Sequence, residues 1–156
     1  MQPKFVEKED IKIVGMVCNT TMKNEKHKQD CQELWREFMP KMIQIKNKVN
    51  KDVAYGICIE DKKDPDDFIY VAGVEVESFK DIPKGMIIKT IPASKYAIFT
   101  HKGIVDQIGK SWNYIFSEWL PKSGIELNKN GLYFEYYDRR YREGASSETD
   151  IYIPIR

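Results

Sequence analysis

The spacing of apolar residues switches between two periods along the chain, and each switch marks an element. A strand period opens at Lys12–Cys18, with Ile11, Ile13, Met16 and Cys18 assigned inward. A polar stretch follows, and then Cys31, Leu34, Trp35, Phe38 and Met42 recur at helical spacing, one stripe of an amphipathic helix. Pro40 and the Lys46–Lys51 segment end it. Two strand-like runs, Val53–Glu60 and Phe68–Val76, flank a loop of turn-forming residues at Asp61–Asp66. Ser94–His101 reads as the next strand, broken by Gly103. Ile108, Trp112, Ile115, Phe116 and Trp119 make a second helical stripe, closed by Pro121. Strands Leu132–Arg139 and Asp150–Ile155 complete the chain, after turns at Asn128–Gly131 and Gly144–Ser147. Lys80–Ile91, with Pro83 and Gly85, reads as a bridge between halves.

The second half repeats the first. Leu34-Trp35-Arg36-Glu37-Phe38-Met39-Pro40 aligns with Ile115-Phe116-Ser117-Glu118-Trp119-Leu120-Pro121 at an offset of 81 residues (115 − 34). The same offset places Val53 on Phe134 and Phe68–Val71 on Thr149–Tyr152. The expected fold is therefore α+β: two βαββ units related by a pseudo-twofold axis, with antiparallel sheets and one helix each. The expected organisation is a single domain over 1–156, with repeats at about 4–79 and 86–156. Neither unit is large enough to bury its sheet face alone, and a groove is expected where they meet, a common place for small-molecule sites.

Composition narrows the function classes. The chain has 156 residues, 42% hydrophobic and 31% charged, which suits one ordinary soluble domain. A net charge of +1 offers no basic surface of the kind that nucleic-acid binding leans on. Cys18, Cys31 and Cys58 are widely spaced in apolar stretches and read as buried, reduced thiols. No signal peptide and no run long enough to cross a membrane is visible, so the expected location is cytoplasmic. His27 and His101 stand alone, no Cys-x-x-Cys or Gly-rich phosphate loop occurs, and no metal or cofactor is expected.

The segment that carries chemistry is Tyr133-Phe134-Glu135-Tyr136-Tyr137. On a strand, Tyr133, Glu135 and Tyr137 share one face, a carboxylate flanked by two phenols. Lining a groove, that face suits a cationic aromatic ligand, with tyrosine rings for cation–π contact and Glu135 as counter-charge. The other reading is a solvated strand whose Glu135 pairs with Arg139, Arg140 or Arg142. Trp112, near the start of its helix, and Tyr55 and Tyr70, on first-half strands, are further ligand-site candidates; Trp35, Phe116 and Trp119 read as core.

Four segments in order resemble the GyrI-like small-molecule-binding domain, also called the AraC-type or bacterial transcription activator effector-binding domain. They are Pro92–Gly103, Trp112 through Pro121, Phe134-Glu135-Tyr136 and Asp150–Ile155, supported by Tyr55-Gly56-Ile57 and Tyr70–Val76. The resemblance implies two βαββ units around a ligand groove. It also implies that Glu135 meets cationic, amphipathic ligands there in the manner of multidrug sensors, with Tyr133, Tyr137, Tyr55 and Trp112 as aromatic lining. With the resemblance running from residue 4 to 156, the expectation is a stand-alone bacterial member with no DNA-binding domain and no direct nucleic-acid contact. Enzyme activity is left open. The alternatives are a hydrolase of reactive cyclopropane-bearing compounds, with Glu135 catalytic, and a modulator of a protein partner such as a topoisomerase.

Overall fold

A computed structural model describes residues 1–156. Eight strands form in chain order: β1 Lys4–Lys8, β2 Ile11–Thr21, β3 Ala54–Glu60, β4 Asp67–Glu75, β5 Ile87–Ile91, β6 Ser94–Lys102, β7 Tyr133–Tyr137 and β8 Glu148–Ile155. Helix α1 spans Lys26–Phe38, and Pro40 falls in the tighter turn, Met39–Gln44, that follows it. Helix α2, Ile108–Tyr114, widens at Ile115–Trp119 and runs on into α3, Leu120–Ser123, where Gly124 ends it at a positive φ of 71°.

All strand pairs are antiparallel, in one sheet of order β1-β6-β8-β7-β3-β4-β2-β5. The two expected βαββ units are β2-α1-β3-β4 and β6-α2-β7-β8, and they share an edge through β3 and β7. Tyr55 pairs with Tyr136 across that edge. Those two residues are also equivalent under the 81-residue repeat, so the pseudo-twofold axis passes between them.

β1 and β5 were not expected as strands; β5 lies inside the segment read as a bridge. Both are five-residue edge strands, β1 with four of its five residues exposed, and neither carries a strong apolar alternation. Their placement shapes the sheet. Only Glu9 and Asp10 separate β1 from β2, yet β1 pairs with β6 at one edge while β2 lies next to the other edge, between β4 and β5. A flat sheet would set those positions roughly 29 Å apart, and the connection reaches about 10 Å. The sheet must therefore curl strongly, bringing its two ends towards each other while it stays open. Pro92 and Ala93 make the matching crossing from β5 to β6, and the Ala93 N–H donates to Asp10 Oδ1 at 2.7 Å, tying the crossings together.

Curling encloses one face. Ile13, Ile57, Ile91, Tyr96, Phe134 and Tyr152, each from a different strand, meet inside in one cluster. Phe134 stacks on Tyr152 with centroids 4.4 Å apart and meets Tyr96 and Tyr55 at 5.4 Å each. The outer face carries the helices: α1 covers Val14, Tyr70, Ala72 and Val74 with Leu34 and Phe38, and the widened turn after α2 covers Ala97, Phe99 and Ile151 with Ile115. With both faces of β2 buried, its period-two signal fades. Met16 and Cys18, an odd number of residues from Ile11 and Ile13, lie under α1 on the opposite face, which corrects their joint assignment inward. The three cysteines are free and partly buried.

Phe134→Ala removes the centre of the interior stack and is expected to lower unfolding free energy by about 3–5 kcal/mol, read by urea denaturation. A loss below about 1 kcal/mol would contradict a packed interior shared by both units.

Candidate functional site

The outer face of the β3–β7 edge lies in the seam between the two helices, and Glu135 sits at its centre, only 7% exposed. Three neutral donors point at its carboxylate. Tyr137 Oη donates to Oε1 at 2.7 Å, Tyr70 Oη to the same oxygen at 3.3 Å, and Trp112 Nε1 to Oε2 at 2.9 Å. Trp35 Nε1 donates in turn to Tyr70 Oη at 3.0 Å, which orients that hydroxyl. Both halves thus contribute to the site, α1 and β4 from the first and α2 and β7 from the second.

No cationic side chain pairs with Glu135. The arginines that the sequence offered are engaged elsewhere: Arg139 with Asp52 at 2.7 Å, and Arg140 with Asp138 and Asp150 at 2.9 and 2.6 Å. Arg142 turns to main-chain carbonyls instead. Burial raises the carboxyl pKa of Glu135 above its ordinary 4.5, and the bonds from Tyr137, Trp112 and Tyr70 hold back part of the rise. The Tyr70 and Tyr137 phenols are pushed well above 10, by burial first and by the neighbouring carboxylate second. The site is a buried carboxylate held by dipoles, with no ion-pair partner and only a small charge contribution from His101.

Space for this network comes from Gly56, directly opposite Glu135 in the β3–β7 register. A Cβ at that position would collide with Tyr70 Oη and come within 2.8 Å of its Cζ and 3.2 Å of Glu135 Oε1. The phenol of Tyr70 crosses the strand where the side chain is missing.

Around this polar centre the seam is filled with rings. Trp112 stacks on Phe116 at 6.2 Å and meets Tyr133 edge-on at 6.3 Å. On the other side Trp35 meets Tyr137 at 5.5 Å, and the partly exposed Tyr141 packs on Tyr137 at 5.7 Å. Two surface cavities, of about 640 and 190 Å³, lie elsewhere, by His101 and by Trp119, and neither is lined by Glu135.

Of the sequence candidates, the structure gathers Glu135, Tyr137, Trp112 and Tyr70 into one bonded cluster and leaves Tyr133 at its aromatic margin. Tyr55 does not join them. One residue before Gly56, it points to the opposite face, is buried in the interior stack and donates to Glu75 at 3.2 Å. Trp35, Phe116 and Gly56 were not foreseen as site residues. A usable signal existed for each: the repeat sets Trp35 on Phe116, the neighbour of Trp112, and a glycine inside an apolar strand marks close approach.

A model of the family described as integron-associated effector binding protein matches residues 4–155. The transcriptional regulator BrlR of Pseudomonas aeruginosa is 39% identical over 157 residues, covering 99% of this chain and 56% of BrlR. The chain thus spans little more than half the length of that relative. Among solved structures, that of SAV2435 bound to tetraphenylphosphonium superposes with a TM-score of 0.79 at 19% identity, over 100% of this chain and 94% of that one. An integron cassette protein from Vibrio cholerae follows at 0.69 and 18% identity, over 99% and 96%. Both structures share the fold.

Gly56→Ala is expected to cost about 1–3 kcal/mol in denaturant unfolding, and Tyr70→Phe in the same chain to restore part of that loss by removing the colliding oxygen. Full additivity of the two losses would place the collision elsewhere. The raised pKa of Glu135 makes a second, pH-dependent prediction. The folded state holds this proton more tightly than the unfolded chain, so stability declines as pH rises from the ordinary carboxylate pKa through the raised one. Glu135→Gln is expected to abolish that decline, seen by comparing urea midpoints of the two proteins from acidic to neutral pH.

Proposed function

The chain belongs to the integron-associated effector-binding family, a GyrI-like group, and we propose that it binds lipophilic organic cations with Glu135 as the counter-charge. The observation that carries this reading is a buried carboxylate met only by neutral donors. An anion taken out of water costs several kcal/mol unless paired, and hydrogen bonds from a phenol or an indole offset only part of that. A ligand cation settling among Trp112, Tyr133, Tyr137 and Trp35 would supply the missing charge. Each ring face adds roughly 0.5–2 kcal/mol of cation–π attraction. The description of SAV2435 as bound to tetraphenylphosphonium, a bulky aromatic cation, supports the same class of ligand on this fold. The likeness to a transcriptional regulator supports a sensing role over turnover.

Because rings fill the seam, a ligand of that size must displace some of them. Phe116 and Tyr141, 37% and 40% exposed, are the least confined, and they mark where entry begins.

Tryptophan fluorescence titrated with tetraphenylphosphonium, and with neutral triphenylphosphine oxide for comparison, tests the reading. Saturable quenching by the cation alone is expected, weakened at least about ten-fold in Glu135→Gln. Affinity should rise with pH through the raised pKa of Glu135, since only the carboxylate form attracts the cation. Chromatography of the same mixtures should recover the ligand intact; consumption by the wild type alone would make the protein a hydrolase. Equal binding of cation and neutral analogue, or indifference to Glu135→Gln, would overturn the proposal.

A further inference from the structure

Glu135 has a second carboxylate on its own side of the sheet. Along β3 the side chains alternate, Tyr55 and Ile57 into the interior, Ala54 and Cys58 towards the helices. Glu60 continues the helix-side row. The registers fix its distance from the buried glutamate: Gly56 stands opposite Glu135, Cys58 opposite Tyr133, and Glu60 lies one further step along the same row, opposite Phe68. Four residues of strand separate the level of Glu135 from that of Glu60, about 13 Å.

The stretch between the two carboxylates is aromatic. Tyr133 lies midway, with Phe116 against it at 5.7 Å and Trp112 at 6.3 Å. Burial raises the Tyr133 phenol pKa, and the Glu60 carboxylate adds to the rise, which places that carboxylate within electrostatic reach of the ring. Glu60 itself is exposed and enters no ion pair or side-chain hydrogen bond. Its acidic neighbours are occupied: Asp64 takes Lys23 at 2.8 Å and the Asp66 N–H at 3.0 Å, and Asp61 takes the Lys63 N–H at 2.8 Å. Lys62 and Lys63, the cations next to it in sequence, form no ion pair with it.

We infer that Glu60 is a second cation-recognition residue and that the seam suits an elongated ligand with two positive charges about 13 Å apart, joined by an apolar segment. This inference rests on the reading of Glu135 as a cation counter-charge. One ammonium group sits over Glu135 at the buried end, the apolar segment runs along Trp112, Phe116 and Tyr133, and the second ammonium reaches Glu60 at the rim. The two ends contribute unequally. Glu135 acts in a dry site, whereas Glu60 acts through water and is weakened by salt.

Calorimetric titration with bis(trimethylammonium)alkanes of increasing linker length, against butyltrimethylammonium, tests it. Affinity is expected to peak where the extended charge separation is about 13 Å and to exceed that of the monocation roughly two- to five-fold at low salt. Glu60→Gln should flatten the series to the monocation level, leaving monocation affinity and unfolding midpoint unchanged. A flat series in the wild type, or a peak that survives in Glu60→Gln, would overturn the role of Glu60 alone. Monocations that fail to bind, or that bind Glu135→Gln equally well, would overturn the underlying cation reading and this inference with it.

Discussion

Two short crossings dictate the shape of this protein. Glu9-Asp10 and Pro92-Ala93 each carry the chain from one edge strand to a strand at the far side of the sheet, and neither connection is long enough to do so unless the sheet curls. Each half surrenders its first strand to the other half: β1 extends β6, and β5 extends β2. The exchange makes the interior a joint property of both units, and the hydrogen bond from Ala93 to Asp10 sits where the crossings touch. With the inner face sealed by Phe134, Tyr152, Tyr96 and Tyr55, the outer face is left for the helices, which reach Glu135 and Tyr70 across the seam.

A symmetric frame holds an asymmetric site. The axis passes between Tyr55 and Tyr136, so Glu135 is matched by Ala54, and Tyr137 by Gly56. Small residues on the first-half strand leave the volume that polar groups of the second half occupy. Tyr70 has Ile151 as its counterpart, so the crossing phenol too is found once. The repeat makes the scaffold symmetric, and the difference between equivalent positions places one carboxylate close to the axis, where side chains from both halves reach it.

The electrostatics of that carboxylate follow from its surroundings. Burial disfavours the anion, the phenols of Tyr137 and Tyr70 and the indole of Trp112 recover part of the cost, and no fixed cation completes the balance. A protein that needed Glu135 only for stability would do as well with a neutral acceptor there, because an unpaired buried charge is a burden on folding. The proposed function would complete the balance with a charge carried by the ligand.

Much of this was legible in one dimension. Period-two and period-3.6 patterns located six strands and both helices, because the apolar residues of those segments recur at the spacing of the backbone they form, and the 81-residue offset exposed the repeat. The Tyr-x-Glu-x-Tyr alternation in β7 singled out Glu135, since parity on a strand is independent of tertiary context. β1 and β5 carry no such signal because they are short edges held by pairing, not by an apolar face, and on β2, apolar on both faces, only strict parity separates Met16 and Cys18 from Ile11 and Ile13. Tyr55 and Gly56 are adjacent in sequence, yet one seals the interior and the other makes room at the site. Which face of β3 met the seam depended on the curl, and the curl depended on pairings between residues 72 to 94 positions apart. Local periodicity is set by each residue's immediate neighbours and can be read from the chain; the meeting of Trp35, Tyr70, Trp112 and Glu135 is a product of long-range closure, which only the folded structure decides.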